Sequence, residues 1–312
     1  MLIGIDAGGT KTDIVLCDLK GNIINRVMCE KSNPIDIGIE KCVDVILKGV
    51  DEVSSGEDCN IKSIFAGISG GSTGENKKLI YSMLSEKLPE GVKLLNDSDA
   101  ISALNSGIGL SDGAVVISGT GSVGYYRKNN EIIRIGGYGY LLDKGGSGYD
   151  FGRDALYYSL SELDKRGEKT VITQMVEEIT KGTVKNLDII YEKGKAYIAS
   201  FAPIVFKAYR MGDTVAEKII DDNAKEYAKI FERIAEISGN AVCKVVLSGS
   251  MWKEFDIIYK YTKKYLTHSF EFIIPKVPPV YGSIIAAADK IGVFNEEFQR
   301  QLKKSFLKQG FY

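Results

Sequence analysis

The chain has 312 residues, of which 44% are hydrophobic and 26% charged, and its formal net charge is -1. This length allows one large or two medium domains, and the balanced charge gives no reason to expect nucleic acid or an anionic membrane as a partner. No stretch approaches the roughly 18 apolar residues of a membrane span, and Asp6 interrupts any amino-terminal secretion signal. The five cysteines form no C-x-x-C pair, which is typical of reduced thiols, so we expect a cytoplasmic protein.

A single histidine, His268, narrows the enzyme classes further. A Ser-His-Asp triad would have to use it, and a zinc site with several histidines is impossible. It directly precedes an apolar segment at 269–274, which favours an exposed or structural histidine.

The first thirteen residues are read as an apolar strand, a Gly-Gly turn and a return strand. Because Gly8 and Gly9 can adopt positive φ and have no Cβ, consecutive backbone N–H groups could approach an anion. Side chains that add donors follow at Thr10, Lys11 and Thr12. Asp6, at the strand end, could face a Mg²⁺ ion held by the same phosphates, directly or through water. The alternative is an ordinary hairpin turn.

The rest of the first half alternates strands and helices. A third short strand at 24–28 follows a turn, so the first three strands should be antiparallel. Apolar spacing and turn signals then predict helices at 40–53, 76–88 and 99–106 and strands at 61–68 and 92–95. The order β-β-β-α-β-α-β-α predicts a mixed sheet whose later strands are parallel.

Two acids, Asp97 and Asp99, lie at the end of the last strand predicted in this half. Phosphoryl transfer to an alcohol needs a carboxylate within hydrogen-bond reach of the attacking hydroxyl, and either acid could serve. Alternatively, one of them only caps the following helix.

From Gly113 the strand-turn-strand-strand pattern restarts, with a glycine turn at Gly119-Thr120-Gly121-Ser122. We infer two topologically related halves. A mainly helical stretch at 147–240, with amphipathic helices predicted at 149–163, 171–180, 194–210 and 215–238, is interpreted as an insertion. Strands then resume at 242–247 and 270–274, followed by a buried helix at 284–291. The terminal helix places Phe294, Phe298, Leu302 and Phe306 at four-residue spacing, a stripe that must dock on something. The predicted domains are 1–112 with 293–312, and 113–292.

Three further glycine loops could bind ligands. The run at 119–124 matches G-x-G-x-x-G formally, but it opens a strand rather than a helix, so a dinucleotide site is not expected. Two glycine hairpins, one per half, instead suggest a nucleotide gripped from both sides of a cleft, with Ser248-Gly249 facing its base and ribose. In the stretch at 136–148, repeated glycine would let backbone approach a small polar ligand, and Tyr138 or Tyr140 could stack on a sugar ring; a flexible loop is the alternative.

Several spaced motifs together resemble those of a known family. They are Asp6-Ala7-Gly8-Gly9-Thr10-Lys11-Thr12, Asn33, Ser69-Gly70-Gly71, Asp97-Ser98-Asp99-Ala100, Ser118-Gly119-Thr120-Gly121-Ser122, Gly136-Gly137-Tyr138-Gly139 and Ser248-Gly249-Ser250-Met251-Trp252. In this order they resemble the motifs of N-acetylglucosamine kinases, which belong to the BadF/BadG/BcrA/BcrD ATPase group within the actin, Hsp70 and hexokinase superfamily.

The resemblance implies an α/β protein with two RNase H-like (actin-like ATPase) domains that close on ATP, with Mg²⁺, and on an amino sugar. It implies that the turns at 6–12 and 118–122 hold phosphates, that Ser248 and Gly249 lie near adenosine, and that Asp99 is the base for the sugar 6-hydroxyl. The residues implied to line the sugar are Asn33, Ser69, Gly70, Asp99, Thr120, Gly136, Gly137 and Tyr138. We also expect a homodimer.

The chain departs from the family pattern at one point. Relatives usually have Gly-Asp-Glu-Gly-Ser where this chain has Asp143-Lys144-Gly145-Gly146-Ser147, so the acid that grips sugar hydroxyls is replaced by Lys144. Either Asp143 substitutes for it after a small loop shift, or sugar preference has changed. A lysine there could pair with a carboxylate such as the lactyl group of N-acetylmuramic acid.

Two other functions fit the same group. An activator ATPase that couples ATP hydrolysis to electron transfer would need closely placed thiolates for a bridging iron–sulfur cluster, but no cysteine occurs between Cys59 and Cys243. A non-enzymatic sugar sensor would need a basic DNA-binding segment, and none is evident. The predicted function is therefore ATP-dependent phosphorylation of N-acetylglucosamine or a related N-acetylhexosamine.

Overall fold

The computed structural model describes residues 1–56, 59–129, 131–182, 187–239, 241–308 and 310. The chain divides into two compact units, one formed by Met1–Asp112 with Pro275–Tyr312 and the other by Gly113–Ile274. In the described residues, no helix has the length and apolar character needed to cross a bilayer.

The strands are β1 (Leu2–Ala7), β2 (Thr12–Cys17), β3 (Ile23–Cys29), β4 (Ser63–Ile68), β5 (Lys93–Asp97), β6 (Gly113–Ser118), β7 (Ser122–Lys128), β8 (Glu131–Ile135), β9 (Val242–Ser248) and β10 (Ser269–Ile273). The helices are α1 (Pro34–Ile37), α2 (Ile39–Ser54), α3 (Asn76–Lys87), α4 (Asp99–Ile108), α5 (Gly148–Leu163), α6 (Val171–Thr180), α7 (Leu187–Ala199), α8 (Ala202–Arg210), α9 (Thr214–Ser238), α10 (Phe255–Thr262), α11 (Pro279–Lys290) and α12 (Glu296–Lys308).

The first unit is built on a sheet of order β3-β2-β1-β4-β5. β1 runs antiparallel to β2 and parallel to β4, and β4 runs parallel to β5. Both faces of β1 are covered: Leu2 packs into the core that contains α11 and α12, whereas Ile3 and Ile5 pack into the core that contains α2. A central strand buried on both faces reads as an apolar run, as residues 2–5 of β1 do before Asp6.

The second unit repeats this plan, because its sheet has the order β10-β9-β6-β7-β8 with the same pattern of parallel and antiparallel pairs. The predicted recurrence of the strand pattern from Gly113 is therefore confirmed. The large core of this unit brings α5, α8 and α9 onto the sheet, around aromatic side chains such as Tyr227, Phe231 and Trp252.

Two predicted boundaries differ from the observed ones. The chain rejoins the first unit at Pro275, earlier than the predicted residue 293, because α11 packs directly on β1: a Cβ on Gly4 would lie 2.6 Å from Cγ1 of Ile284. The single helix predicted at 194–210 is interrupted, because Gly194 has a non-helical φ of 66° within α7 and α8 begins at Ala202.

Candidate functional site

In the first unit, the carboxyl ends of three parallel strands place two acids at the same edge of the sheet. Asp6 of β1 is in register with Gly67 of β4, which is in register with Asp97 of β5. Since parallel strands end at the same edge of a sheet, these positions and the residues after them share one edge.

Asp99 lies in the first turn of α4, just beyond that edge. The helix is capped by Ser98, whose hydroxyl accepts from the Ala100 amide at 3.2 Å, so neither acid is the N-cap that the alternative interpretation required. The Asp99 carboxylate accepts from the Ser98 hydroxyl at 3.2 Å and from the Ser69 side chain. Burial outweighs these hydrogen bonds and raises the pKa of Asp99 above its ordinary value.

Asp97 has a different environment. It forms an ion pair with Lys77 of α3 and accepts from the Ser98 amide at 2.7 Å. The Asp97 carboxylate is therefore already engaged by a lysine ammonium and a backbone amide.

Close helix–sheet packing sets the position of Asp99. A Cβ on Gly67 would lie 1.9 Å from the Ser102 hydroxyl oxygen and 3.4 Å from the Asp99 Cα, so only glycine lets α4 approach β4. The Ser102 hydroxyl is also hydrogen-bonded to the Ser283 hydroxyl. The Ser283 hydroxyl in turn donates to the Ile5 carbonyl at 2.8 Å. The roles of Gly67 and Ser283 could not be predicted from the sequence, because they depend on contacts between distant segments.

Asp6 is the most perturbed acid of this edge. Burial, followed by the nearby charges of Asp99 and Asp13, raises its pKa to about 8, and Lys11 opposes this only partly. A carboxylate held among like charges is stabilised by a cation. Among the described residues, no group of three or more histidine, cysteine or acidic side chains could hold a metal ion.

The turn between β1 and β2 is closed by a hydrogen bond from the Gly8 amide to the Lys11 carbonyl, at 2.9 Å. Within the described chain, the amides of Gly9, Thr10 and Lys11 donate to no protein acceptor. Neither Gly8 nor Gly9 has φ in the left-handed region, so this turn closes without the positive φ that glycine could have adopted.

Thr12, predicted as a phosphate donor, is fully buried. Its hydroxyl donates to the Glu30 carbonyl at 2.7 Å and is hydrogen-bonded to the Ser32 hydroxyl, while the Ser32 amide donates to the Gly8 carbonyl at 3.1 Å. Thr12 and Ser32 therefore stabilise the turn through hydrogen bonds. The expectation that Thr12 contacts phosphate is not supported.

Asn33 and Gly70, both predicted to line the sugar, lie together. Asn33 caps α1 by accepting from the Ile35 amide at 2.9 Å, and a Cβ on Gly70 would lie 2.8 Å from its side-chain oxygen. Gly70 also needs a φ of 74°, so glycine is required there by conformation and by packing. The Asn33 amide nitrogen is 4.0 Å from the Cβ position of Gly9, which joins this pair to the turn.

In the second unit, the turn between β6 and β7 is closed by a hydrogen bond from the Gly119 amide to the Gly121 carbonyl, at 2.9 Å. For the described residues, the amides of Thr120 and Gly121 have no protein acceptor. The carbonyls of Gly119 and Thr120 accept instead from the first amides of α5, those of Gly148 and Tyr149, at 2.8 and 3.1 Å. The turn thus presents donors while its acceptors are occupied.

The glycines at 145–148 have a packing role that sequence reasoning did not identify. A Cβ on Gly145 would lie 2.0 Å from the Ser122 hydroxyl oxygen, and one on Gly148 would lie 2.8 Å from the Gly119 carbonyl oxygen. These glycines therefore let the start of α5 approach the turn, rather than leaving room for a ligand.

Ser248 and Gly249 adjoin the same turn, at the end of β9. Ser248 is in register with Ile117 of β6, and Gly249 has a φ of 106° with its Cβ position 2.2 Å from the Ser118 carbonyl oxygen. Gly249 is thus required by the protein's own backbone.

Three glycines remain without a structural reason. In the described chain, each of the other glycines outside the helices meets one of two conditions. Either its φ lies between +20° and +160°, or a Cβ on it would come within 3.4 Å of another atom. The exceptions are Gly9, Gly119 and Gly121, where the nearest atoms are 3.7 Å, 3.9 Å and more than 4 Å away. All three lie in the two turns with unpaired amides.

The predicted sugar loop at 136–138 adjoins β7, since a Cβ on Gly137 would lie 2.6 Å from the Val123 Cβ. Asp143 accepts from the Tyr138 amide at 3.1 Å, whereas Lys144 is exposed. The two residues that could replace the usual sugar-binding acid thus differ: one is engaged by the loop and the other faces solvent.

Comparison with known proteins identifies the family. A model of the BadF/BadG/BcrA/BcrD ATPase family matches residues 3–287. The chain is 31% identical over 302 residues to an N-acetylmuramic acid/N-acetylglucosamine kinase of Clostridium acetobutylicum, covering 92% of this chain and 97% of that one. It is 34% identical over 242 residues to an N-acetyl-D-glucosamine kinase of Dictyostelium discoideum, covering 72% of this chain and 76% of that one. Among solved structures, a candidate N-acetylglucosamine kinase from Chromobacterium violaceum has a TM-score of 0.74 at 21% identity, covering 92% and 98%, which shows the shared fold. The chain therefore belongs to the BadF/BadG/BcrA/BcrD ATPase family and has its actin-like ATPase fold.

Proposed function

We propose that this chain is an ATP-dependent amino-sugar kinase, which transfers the γ-phosphate to the 6-hydroxyl of N-acetylglucosamine or N-acetylmuramic acid. The names of the two relatives that match across most of the chain support this substrate class. The observation that carries the proposal is the pair of turns that contain Gly9, Gly119 and Gly121, the three glycines without a structural reason, and that present consecutive unpaired amides. Such amides are suited to bind phosphate oxygens.

In the first unit, Asp99 would accept the proton of the sugar hydroxyl. Its raised pKa makes it a better base than an ordinary surface carboxylate, and the Ser69 hydrogen bond would keep it oriented. Asp6 would hold Mg²⁺, directly or through water, and the metal would supply positive charge for the phosphates. Asn33 and Gly70, adjacent to the turn, would line the sugar.

In the second unit, Thr120 and Gly121 would donate their amides to phosphate, and Ser248 would lie beside them toward the adenosine. The loop at 136–138 would contact the sugar. Lys144 is exposed and carries a charge that N-acetylglucosamine cannot use but a lactyl carboxylate can, so we propose that it favours N-acetylmuramic acid.

The activator ATPase is the less favoured candidate. Cys17, Cys42 and Cys243 are buried, and burial raises the pKa of Cys42 to about 12. Thiols kept protonated in this way are poor ligands for a cluster. Homodimerisation and a cytoplasmic location stay predictions.

A screen of ATP consumption across amino sugars tests the proposal. The purified chain is assayed with N-acetylglucosamine, N-acetylmuramic acid, glucosamine and N-acetylmannosamine, with Mg²⁺ and with excess EDTA. We expect ADP release only with both sugar and Mg²⁺, and a 6-phosphorylated product by NMR. ADP release that is independent of sugar would contradict the kinase, as would release of no ADP with any sugar.

A further inference from the structure

The loop that follows β8 is rich in glycine, yet hydrogen bonds from two side chains fix its conformation. Gly136, Gly137 and Gly139 have φ of 65°, 76° and 96°, and glycine loses more conformational freedom on ordering than any other residue. A single conformation of this loop therefore depends on bonds from outside it. Two charged side chains provide them.

Arg134 binds the loop on one side. Its Nε donates to the Gly136 carbonyl at 3.0 Å and its Nη2 donates to the Gly137 carbonyl. The guanidinium carbon also lies 5.5 Å from the centre of the Tyr138 ring, within the range of a cation–π contact. One side chain thus fixes two backbone carbonyls and the adjacent aromatic ring.

Asp143 binds the loop on the other side. Its carboxylate accepts from the Tyr138 amide at 3.1 Å, and its own amide donates to the Gly139 carbonyl at 2.9 Å. The Cβ position of Gly136 lies 3.2 Å from the same carboxylate. The carboxylate of Asp143 is therefore directed into the loop.

The result is an aromatic ring that is both exposed and oriented. The Tyr138 side chain is 67% exposed, although an arginine lies over its ring and an aspartate holds its backbone. An exposed ring fixed before binding avoids the entropy cost of ordering it in the complex. The ligand class that fits it is a neutral pyranose ring, which has an apolar face and hydroxyls at its rim.

We propose that Arg134 and Asp143 are positioning residues that fix Tyr138 as a platform for the sugar ring. On this assignment, Asp143 acts through the Tyr138 backbone and is not a substitute for the family's sugar-binding acid. The inference rests on the proposed amino-sugar kinase function and extends it to residues that the motifs do not specify.

Steady-state kinetics of matched variants test the platform. In Arg134→Gln and Tyr138→Leu, we expect the KM for the sugar to rise about tenfold, the scale of a lost positioning contact, with the KM for ATP within about twofold of wild type. Because Arg134 acts through Tyr138, the double variant should be little worse than Tyr138→Leu alone. Controls are Arg166→Gln, another exposed arginine, which pairs with Asp164, and Tyr191→Leu, at an 82% exposed ring.

Two variants of Asp143 distinguish a positioning role of this residue from direct binding of the sugar. The amide oxygen of Asp143→Asn can still accept from the Tyr138 amide, so we expect a rise in sugar KM of at most about threefold, against about tenfold for Asp143→Ala. If Asp143→Asn is as damaging as Asp143→Ala, the carboxylate itself binds the sugar and this assignment is overturned. An unchanged sugar KM in Arg134→Gln overturns the platform, as does an equal rise in sugar and ATP KM. Wild-type protein that phosphorylates no amino sugar refutes the kinase proposal instead, so the two failures are distinguishable.

Discussion

Replacement of Gly121 by alanine separates phosphate binding from folding. Gly121 has no φ in the left-handed region, and a Cβ there would meet nothing within 4 Å. Alanine also restricts the unfolded chain, so we expect the free energy of unfolding without ligand to stay equal or to rise by as much as about 1 kcal/mol. Stability alone gives no reason for glycine at this position.

ATP binding by Gly121→Ala should weaken, although the free energy of unfolding does not fall. If the amides of Thr120 and Gly121 bind phosphate, a methyl group at Gly121 would hold the anion away from them. Weakening one hydrogen bond to a charged group costs about 1.5–3 kcal/mol, which corresponds to a roughly ten- to hundredfold rise in the KM for ATP. The sugar KM should change much less.

Thermal unfolding without ligand and initial rates at varied ATP concentration measure the two effects on the same preparation. Gly249→Ala is the contrasting variant: its Cβ would lie 2.2 Å from the Ser118 carbonyl oxygen and its φ is 106°, so it should lower stability. An unchanged KM for ATP in Gly121→Ala would refute the assignment of this turn to phosphate.

Three further predictions follow from particular side chains. Asp99→Asn should lower kcat by about 10²–10⁴ while ATP still binds; a larger loss in Asp97→Asn would move the base to Asp97. Lys144→Asp should lower the ratio of kcat/KM for N-acetylmuramic acid over N-acetylglucosamine about fivefold, the scale of an exposed ion pair, and an unchanged ratio would exclude Lys144 from sugar choice. Burial acts to raise the pKa of Glu232, but hydrogen bonds from Thr267 and His268 lower it to about 2. Since the unfolded carboxyl titrates near 4.5, this stabilisation is present above that pH and is lost as the pH falls toward 2. Urea unfolding should therefore show a difference of about 2–3 kcal/mol between wild type and Glu232→Gln at pH 6 that shrinks by pH 3.5; a difference independent of pH would contradict it.

The repeated sheet could be predicted because its signals are local. Each half begins with an apolar strand, a short glycine turn and a return strand, and these patterns depend only on neighbouring residues. Both sheets have the strand order that such hairpins and crossovers imply. The apolar stripe of the terminal helix was confirmed for Phe298, Leu302 and Phe306, which are buried on α12, whereas Phe294 lies before the helix begins at Glu296.

The supports of the site could not be predicted in this way. Ser102 and Ser283 are 181 residues apart in sequence yet share a hydrogen bond, and no local pattern indicates that pairing. Thr12 has the residue type expected of a phosphate donor, but its hydroxyl donates its hydrogen bond to the Glu30 carbonyl. Residue type specifies which bonds a side chain can make, whereas the tertiary structure decides which ones it does make.

The repeat also explains why only one unit would carry the acid chemistry. β1 and β6 occupy equivalent places in their sheets, but Asp6 of β1 corresponds to Ile117 of β6, as both directly precede the last strand residue before the turn. The edge of the first sheet therefore concentrates Asp6, Asp97 and Asp99, whereas the second sheet ends in the serines Ser118 and Ser248. Carboxylates suit a base and a metal, and hydroxyls and free amides suit an anion that must be bound without being attacked. The shared topology supplies two similar turns, and the different residues at the strand ends beside them would give the two turns different chemistry.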